Sequence, residues 1–149
     1  MSEPIATNRK VYRDYELSEK TECGVELKGS EVKSLRAAKA TFTDSFALIE
    51  REEVFLYNLH IEPYAQASYM NPPADRKRKL LLHKKQIRKL SAKLSQGGCT
   101  LVPTKIYFNV KGKAKIEIAL GKGKRQYDKR ESIKKRDMKR EMSKNSGRI

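Results

Sequence analysis

The tightest constraint on this chain is a period of two. From Ala114 to Leu120 the residues Ile116, Ile118 and Leu120 alternate with Lys115, Glu117 and Ala119, the mark of a strand with one dry face and one wet one. Weaker versions recur upstream. Tyr15 and Leu17, then Cys23, Val25 and Leu27, alternate with Glu16, Glu26 and Lys28, and Gly24 inside that run predicts a bulge or a close backbone approach. Ser45 to Glu50 and Val54 to Ile61 read as a hairpin turning at Arg51-Glu52-Glu53, with Phe55, Tyr57, Leu59 and Ile61 expected on one face. Cys99 to Val110 reads as a strand whose Pro103 suits an edge or a bulge, and Lys111-Gly112-Lys113 as the tight turn into the last strand. Five or six strands with turn signals about every ten residues favour a small antiparallel barrel over a parallel α/β sheet.

Helical signals fall between these strands. Asn8-Arg9-Lys10 opens one or two turns with Val11, Tyr12 and Tyr15 as apolar points. Ser30 is placed to cap a helix running to about Ala40, with Glu31 in its first turn, Val32 and Leu35 inward, and Lys33, Arg36 and Lys39 outside. A third stretch, Arg76 to Leu94, carries nine Lys or Arg residues and no carboxylate. Leu80, Ile87 and Leu94 repeat at seven, with His83 and Leu90 between them. That spacing predicts a helix from an Asp75 cap to Gly97-Gly98, its stripe on a core and Arg78, Lys85, Arg88, Lys89 and Lys93 on its exposed surface. Charge runs are usually solvated faces, but a helix built for solubility pairs Glu with Lys at i,i+4, and this one does not.

Charge then narrows the function. The chain of 149 residues carries a net charge of +16, and residues 121–149 hold twelve Lys or Arg against four acids, half of that excess in the last fifth of the sequence. One domain is expected, with residues 1–7 a disordered lead-in, residues 8–120 the barrel and residues 121–149 a tail disordered when free and ordered on an anionic partner. Nucleic acid is the first candidate partner because phosphates reward each cation through counterion release. A membrane fares worse, as no apolar run nears spanning length and no basic helix carries an aromatic-rich face. The N-terminus shows no secretory h-region, which makes the cytoplasm the expected compartment.

Catalytic inventory is thin. Glu16/Glu19 and Glu52-Glu53 sit at alternating or turn positions, where carboxylates are far more often solvated than reactive, and His83 reads as a core or boundary histidine. Cys23, Cys99, His60 and His83 lack the paired spacings of a metal site, and the two cysteines read as small buried or half-buried residues. GKGK at 121–124 lacks the strand-to-helix context of a phosphate loop. No metal and no cofactor is expected, and binding outweighs catalysis.

The motifs NRK (8–10), DYEL (14–17), ECGVELKGSEVKSLRAAKA (22–40), DSFALIE (44–50), HIEPY (60–64), RKLLLHKKQIRKL (78–90), TLVP (100–103), KIEIALGKGKRQYDKR (115–130) and IKKRD (133–137) occur in one order along nearly the whole chain. In this the sequence resembles the small protein B family, the SsrA-RNA-binding proteins of bacterial trans-translation. The resemblance implies an oligonucleotide-binding-type (OB-fold) barrel with about three flanking helices that holds the tRNA-like domain of transfer-messenger RNA. It implies entry into stalled ribosomes, a tail in the empty decoding centre and mRNA channel against ribosomal RNA, and no bond made or broken by the protein, which is expected to act as a monomer. By motif, the RNA-facing residues would be Asn8, Arg9, Lys10, Glu22 and Gly24 of an ECG turn, Glu31, Lys33, Arg36, Leu81, His83 and Lys84, with Glu31 alternatively a fold residue. The ribosome-facing tail would use Lys122, Gly123, Lys124, Arg125, Tyr127, Asp128, Lys129 and Arg130, continuing through Lys134, Lys135, Arg136 and Arg140 as an induced helix. Tyr127, where the family often has histidine, keeps a stacking ring, and Met138, where Trp is common, keeps only apolarity. The competing readings are a structural ribosomal or general RNA-chaperone protein with sequence-tolerant binding, and an RNA-modifying enzyme, for which no catalytic cluster is in sight.

Overall fold

The computed structural model describes residues 4–64 and 72–123. In chain order the elements are β1 (Ala6–Thr7), α1 (Arg9–Asp14), β2 (Tyr15–Val25), α2 (Gly29–Arg36), β3 (Ala40–Glu50), β4 (Glu53–Ile61), β5 (Arg78–Leu81), α3 (Lys84–Ser95), β6 (Thr100–Phe108) and β7 (Ala114–Gly123). Every strand pairing is antiparallel, and because β6 pairs with β3 on one side and β7 on the other, the order β6-β3-β4-β5-β2-β7 closes into a six-stranded barrel. Closure leaves no long unpaired edge. The expected barrel with three helices is therefore the fold observed, and β1 extends it by pairing Ala6 with Ile106. Ala6 and Thr7 fall inside the expected lead-in, where Ile5 and Ala6 pack against the core.

The core is the barrel lumen. Val54, Leu56, Leu59, Leu80, Leu101, Ile106, Ile116 and Ile118 are essentially inaccessible, and Leu35 of α2 and Ile87 and Leu90 of α3 join them. Eight inaccessible aliphatic side chains at about 1.5–3 kcal/mol each supply the main drive for closure. The helices close opposite mouths. α2 sits by the start of β3 and end of β4, where Ser34 Oγ donates to the Glu62 carbonyl at 2.7 Å. α3 instead forms a groove with Ile49 and Glu52 at the other end of the β3–β4 hairpin.

Strand irregularities account for several departures. The β3–β4 turn is Arg51-Glu52, both at positive φ (51° and 64°), as a two-residue hairpin requires. Within the hairpin the register slips between Phe42/Leu59 and Phe46/Tyr57, around Asp44 (φ 51°) and Asn58 (φ 64°). The slip reverses the facing of β4, so Val54 and Leu56 point inward before it and Leu59 and Ile61 after it. Phe55 and Tyr57 therefore do not share the face of Leu59 and Ile61, and Tyr57 stacks on Phe46 at 5.1 Å between ring centres. Pro103 does mark a bulge, since the β6–β7 register shifts between Pro103 and Lys105. Gly24 marks a close approach, a Cβ there meeting the Leu81 Cβ at 3.3 Å, while the bulge of β2 lies earlier, between Ser18 and Thr21.

The Arg76–Leu94 stretch corrects the seven-residue repeat. Arg78–Leu81 is a strand, and the helix begins only at Lys84, after His83. Asp75 caps nothing there but accepts from or pairs with His60 Nδ1 at 2.9 Å. Leu80 is buried by period two, paired with Val54 of β4 and Val25 of β2, and Ile87 and Leu90 are buried by helical period. The apparent heptad joined two elements with different periods. The helix ends where expected, at Gly97 and Gly98 (φ 83° and 82°). α2 likewise stops at Arg36, short of Ala40, which already pairs with Ile61 in β3.

Candidate nucleic-acid interface

Beneath the α2 mouth lies a buried charge cluster. The Glu31 side chain is 4% exposed and receives Arg78 Nη2 and Arg76 Nη2, each at 2.6 Å. Lys28 N–H donates to the same carboxylate at 2.8 Å, closing the first turn of α2. Burial pushes the Glu31 carboxyl up, but the hydrogen bonds from Arg76, Lys28 and Arg78 outweigh it and hold the group below its ordinary value. Arg78 is fully buried, contrary to its expected place on an exposed helix surface, and also donates to the Leu59 carbonyl and to the Ala74 carbonyl at 2.9 Å. The reason is β5: strand alternation turns Arg78 inward with Leu80, and Glu31 makes that tolerable. Glu31 thus has no side-chain surface to offer a ligand and serves by locking α2 to β5.

Around that cluster the surface is cationic and aromatic. Lys33 and Arg36 are exposed on α2, Lys33 over the Tyr64 ring at 5.5 Å and Arg36 over the Phe108 ring at 4.9 Å. Such stacking fixes a long side chain while leaving its charge in water. Glu22 and Gly24 are strand residues of β2 rather than a turn, with Glu22 opposite Glu117 and Gly24 opposite Lys115. Glu22 accepts the Tyr107 hydroxyl, and burial together with that bond pushes the phenol well above its ordinary value. On this outer face of β2, β6 and β7, Lys105 lies 5.9 Å from the Tyr107 ring centre, and Lys115 pairs with Tyr107 across β6 and β7. Leu81 pairs with Gly24 and is 48% exposed, so the glycine and leucine meet across β2 and β5.

The remaining predicted residues divide. Asn8 is 6% exposed, and its Nδ2 donates to the Pro103 carbonyl at 3.0 Å, tying α1 to the bulge of β6. Arg9 and Lys10 are exposed beside it, Lys10 paired with Asp44. His83 and Lys84 are exposed at the start of α3; His83 is no core histidine, and its N–H donates to Gln86 Oε1 at 3.0 Å. Lys122 and Gly123 lie on β7, opposite Glu16 and Tyr15. Lys124, Arg125, Tyr127, Asp128, Lys129, Arg130, Lys134, Lys135, Arg136 and Arg140 lie outside the described residues. The sequence reading placed Arg78 on an exposed surface and gave no role to Arg76 or Tyr107. A period-two reading of Arg78-Lys79-Leu80-Leu81 would have found the first buried arginine. Cys23 is buried, its thiol pushed up to about 12 by that burial, and Cys99 is half-buried, both as expected.

Comparison with known proteins adds three kinds of likeness. The family model described as SmpB protein matches residues 5–148. The "SsrA-binding protein" of Thermosipho africanus is 52% identical over 139 residues, covering 93% of each chain. That of Persephonella marina is 53% identical over 140 residues, covering 94% of this chain and 91% of its own. A solved chain from "tmRNA-SmpB: a journey to the center of the bacterial ribosome" superposes with a TM-score of 0.68 at 54% identity, covering 79% of this chain and 82% of that one.

Proposed function

This chain belongs to the SmpB protein family, and from that premise we propose that it binds SsrA (transfer-messenger) RNA by the tRNA-like domain and brings it to stalled ribosomes for trans-translation. The observation that carries the reading is the α2 mouth of the barrel. There Lys33 and Arg36 stand outward on a helix whose only buried acid is already saturated by two arginines. Their charge is left for a polyanion, and phosphates are positioned by such cations. Gly24, Leu81 and His83 add a flat, partly apolar shoulder suited to ribose and base contact. Asn8 and Glu31 support this surface from below, and Glu22 orients Tyr107.

The stretch from Lys124 onward would address ribosomal RNA in the decoding centre and mRNA channel, Tyr127 stacking among Lys124, Arg125, Lys129 and Arg130. In this reading the protein is a cytoplasmic binding protein that makes and breaks no bond and needs no cofactor. Among the described residues no helix is long and apolar enough to cross a membrane.

The test is a competition gel shift at physiological salt, with the isolated tRNA-like domain labelled and ordinary tRNA and a hairpin as competitors. The expected result is strong preference for the tRNA-like domain. Equal competition by all three would establish a sequence-tolerant RNA holder instead.

A further inference from the structure

The β6–β7 turn is built more tightly than a connection needs. Asn109 N–H donates to the Lys113 carbonyl at 2.9 Å, Gly112 N–H donates to the Asn109 carbonyl at 2.9 Å, and Asn109 Oδ1 accepts the N–H groups of Lys111 and Lys113 at 3.0 and 2.9 Å. One asparagine therefore satisfies the turn from within. What this frame holds out is Val110, 89% exposed, followed by the exposed Lys111 and Lys113 on either side of Gly112.

The lysines of this turn differ from the barrel lysines that ion pairs already neutralise. On the β3–β4–β5 side Lys10 pairs with Asp44, Lys77 with Glu50 and Lys79 with Glu53, and on α3 both Lys89 and Lys93 reach Glu19. Lys111 and Lys113 have no carboxylate partner among the described residues. The turn also rises at the α2 mouth, since Phe108, its last strand residue, carries Arg36 over its ring.

We propose that Val110, Lys111 and Lys113 form a preorganised RNA-contact finger that extends the α2 surface, the two ammonium groups on phosphates and the valine against a ribose or base of the tRNA-like domain. The inference rests on the family reading above. A turn already ordered by Asn109 loses little freedom on binding, so its contacts count nearly in full. Continuity with Lys33 and Arg36 commits the finger to the RNA they hold, rather than to ribosomal RNA.

The experiment measures affinity of the full chain for the isolated tRNA-like domain across a salt series. The chains compared are wild type, Lys111→Ala with Lys113→Ala, Val110→Ser, and Lys77→Ala as a lysine already neutralised by Glu50. The double lysine variant should bind about tenfold more weakly at physiological salt, and its log–log salt slope should fall by about 2, one for each phosphate no longer neutralised. Val110→Ser should weaken binding several-fold with an unchanged slope, since the side chain it replaces is uncharged. Lys77→Ala should match wild type. Thermal unfolding of the two finger variants should match wild type, because the finger residues touch no core. Wild-type binding with an unchanged slope in the double variant overturns the proposal alone. A wild-type chain that shows no preference for this RNA overturns the family reading, and the finger with it.

Discussion

Glu31 sits where burial and charge pull hardest against each other. A carboxylate 4% exposed would normally take up a proton, but two guanidinium groups and a backbone N–H keep it ionised. Its folded pKa is lowered, so its contribution to stability is complete above the unfolded carboxylate value, about 4.3, and is lost as pH falls through the folded value. Urea midpoints of wild type and Glu31→Gln should therefore differ widely at pH 7 and converge in acid. A gap that stays constant with pH would show that the carboxylate charge plays no part. Arg78→Ala should cost about 3–5 kcal/mol in the same measurement, because it strips a partner from a buried charge. Either change would weaken RNA binding by loosening α2 rather than by removing a group that touches RNA.

At the scale of elements, packing on the barrel's outer surface is as exacting as in its lumen. A Cβ on Gly121 would come within 2.9 Å of Tyr15 Cδ1 and 3.3 Å of its Cβ, so β7 passes under the tyrosine only because it is glycine there. Gly121→Ala should destabilise by about 1–3 kcal/mol in chemical denaturation. The same scale shows what could be read beforehand. β7, the β3–β4 turn and the break at Gly97-Gly98 were legible because each carries its own local signature of alternation or turn chemistry. β5 was not, because four residues give too little alternation to compete with a seven-residue spacing running across it. The facing of Phe55 and Tyr57 was hidden too, since the slip at Asp44 and Asn58 depends on how two strands meet. Among candidate site residues, Lys33, Arg36 and Lys84, singled out by motif, are exposed. The burial of Asn8 and Glu31 came from partners far along the chain, Pro103 and Arg78.

For the whole molecule, the last strand runs three residues past Leu120, where the barrel was expected to end. β7 pairs through Gly123, so a truncation that spares the barrel must follow that residue. A chain ending at Gly123 should keep its unfolding midpoint and its affinity for the tRNA-like domain while losing tagging in a reconstituted translation system. Lost affinity would place part of the RNA grip beyond the barrel. The two termini of β7 stand at opposite mouths: Ala114 beside Phe108 and Arg36, and Gly123 beside Tyr15 and past Thr100, where α3 has just ended. Ten residues of strand span about 33 Å. The barrel is thus a rigid spacer with a fixed offset between where RNA is gripped and where the chain departs. The reach of whatever follows Gly123 is measured from that far mouth, and no change of sequence in the tail can shorten it.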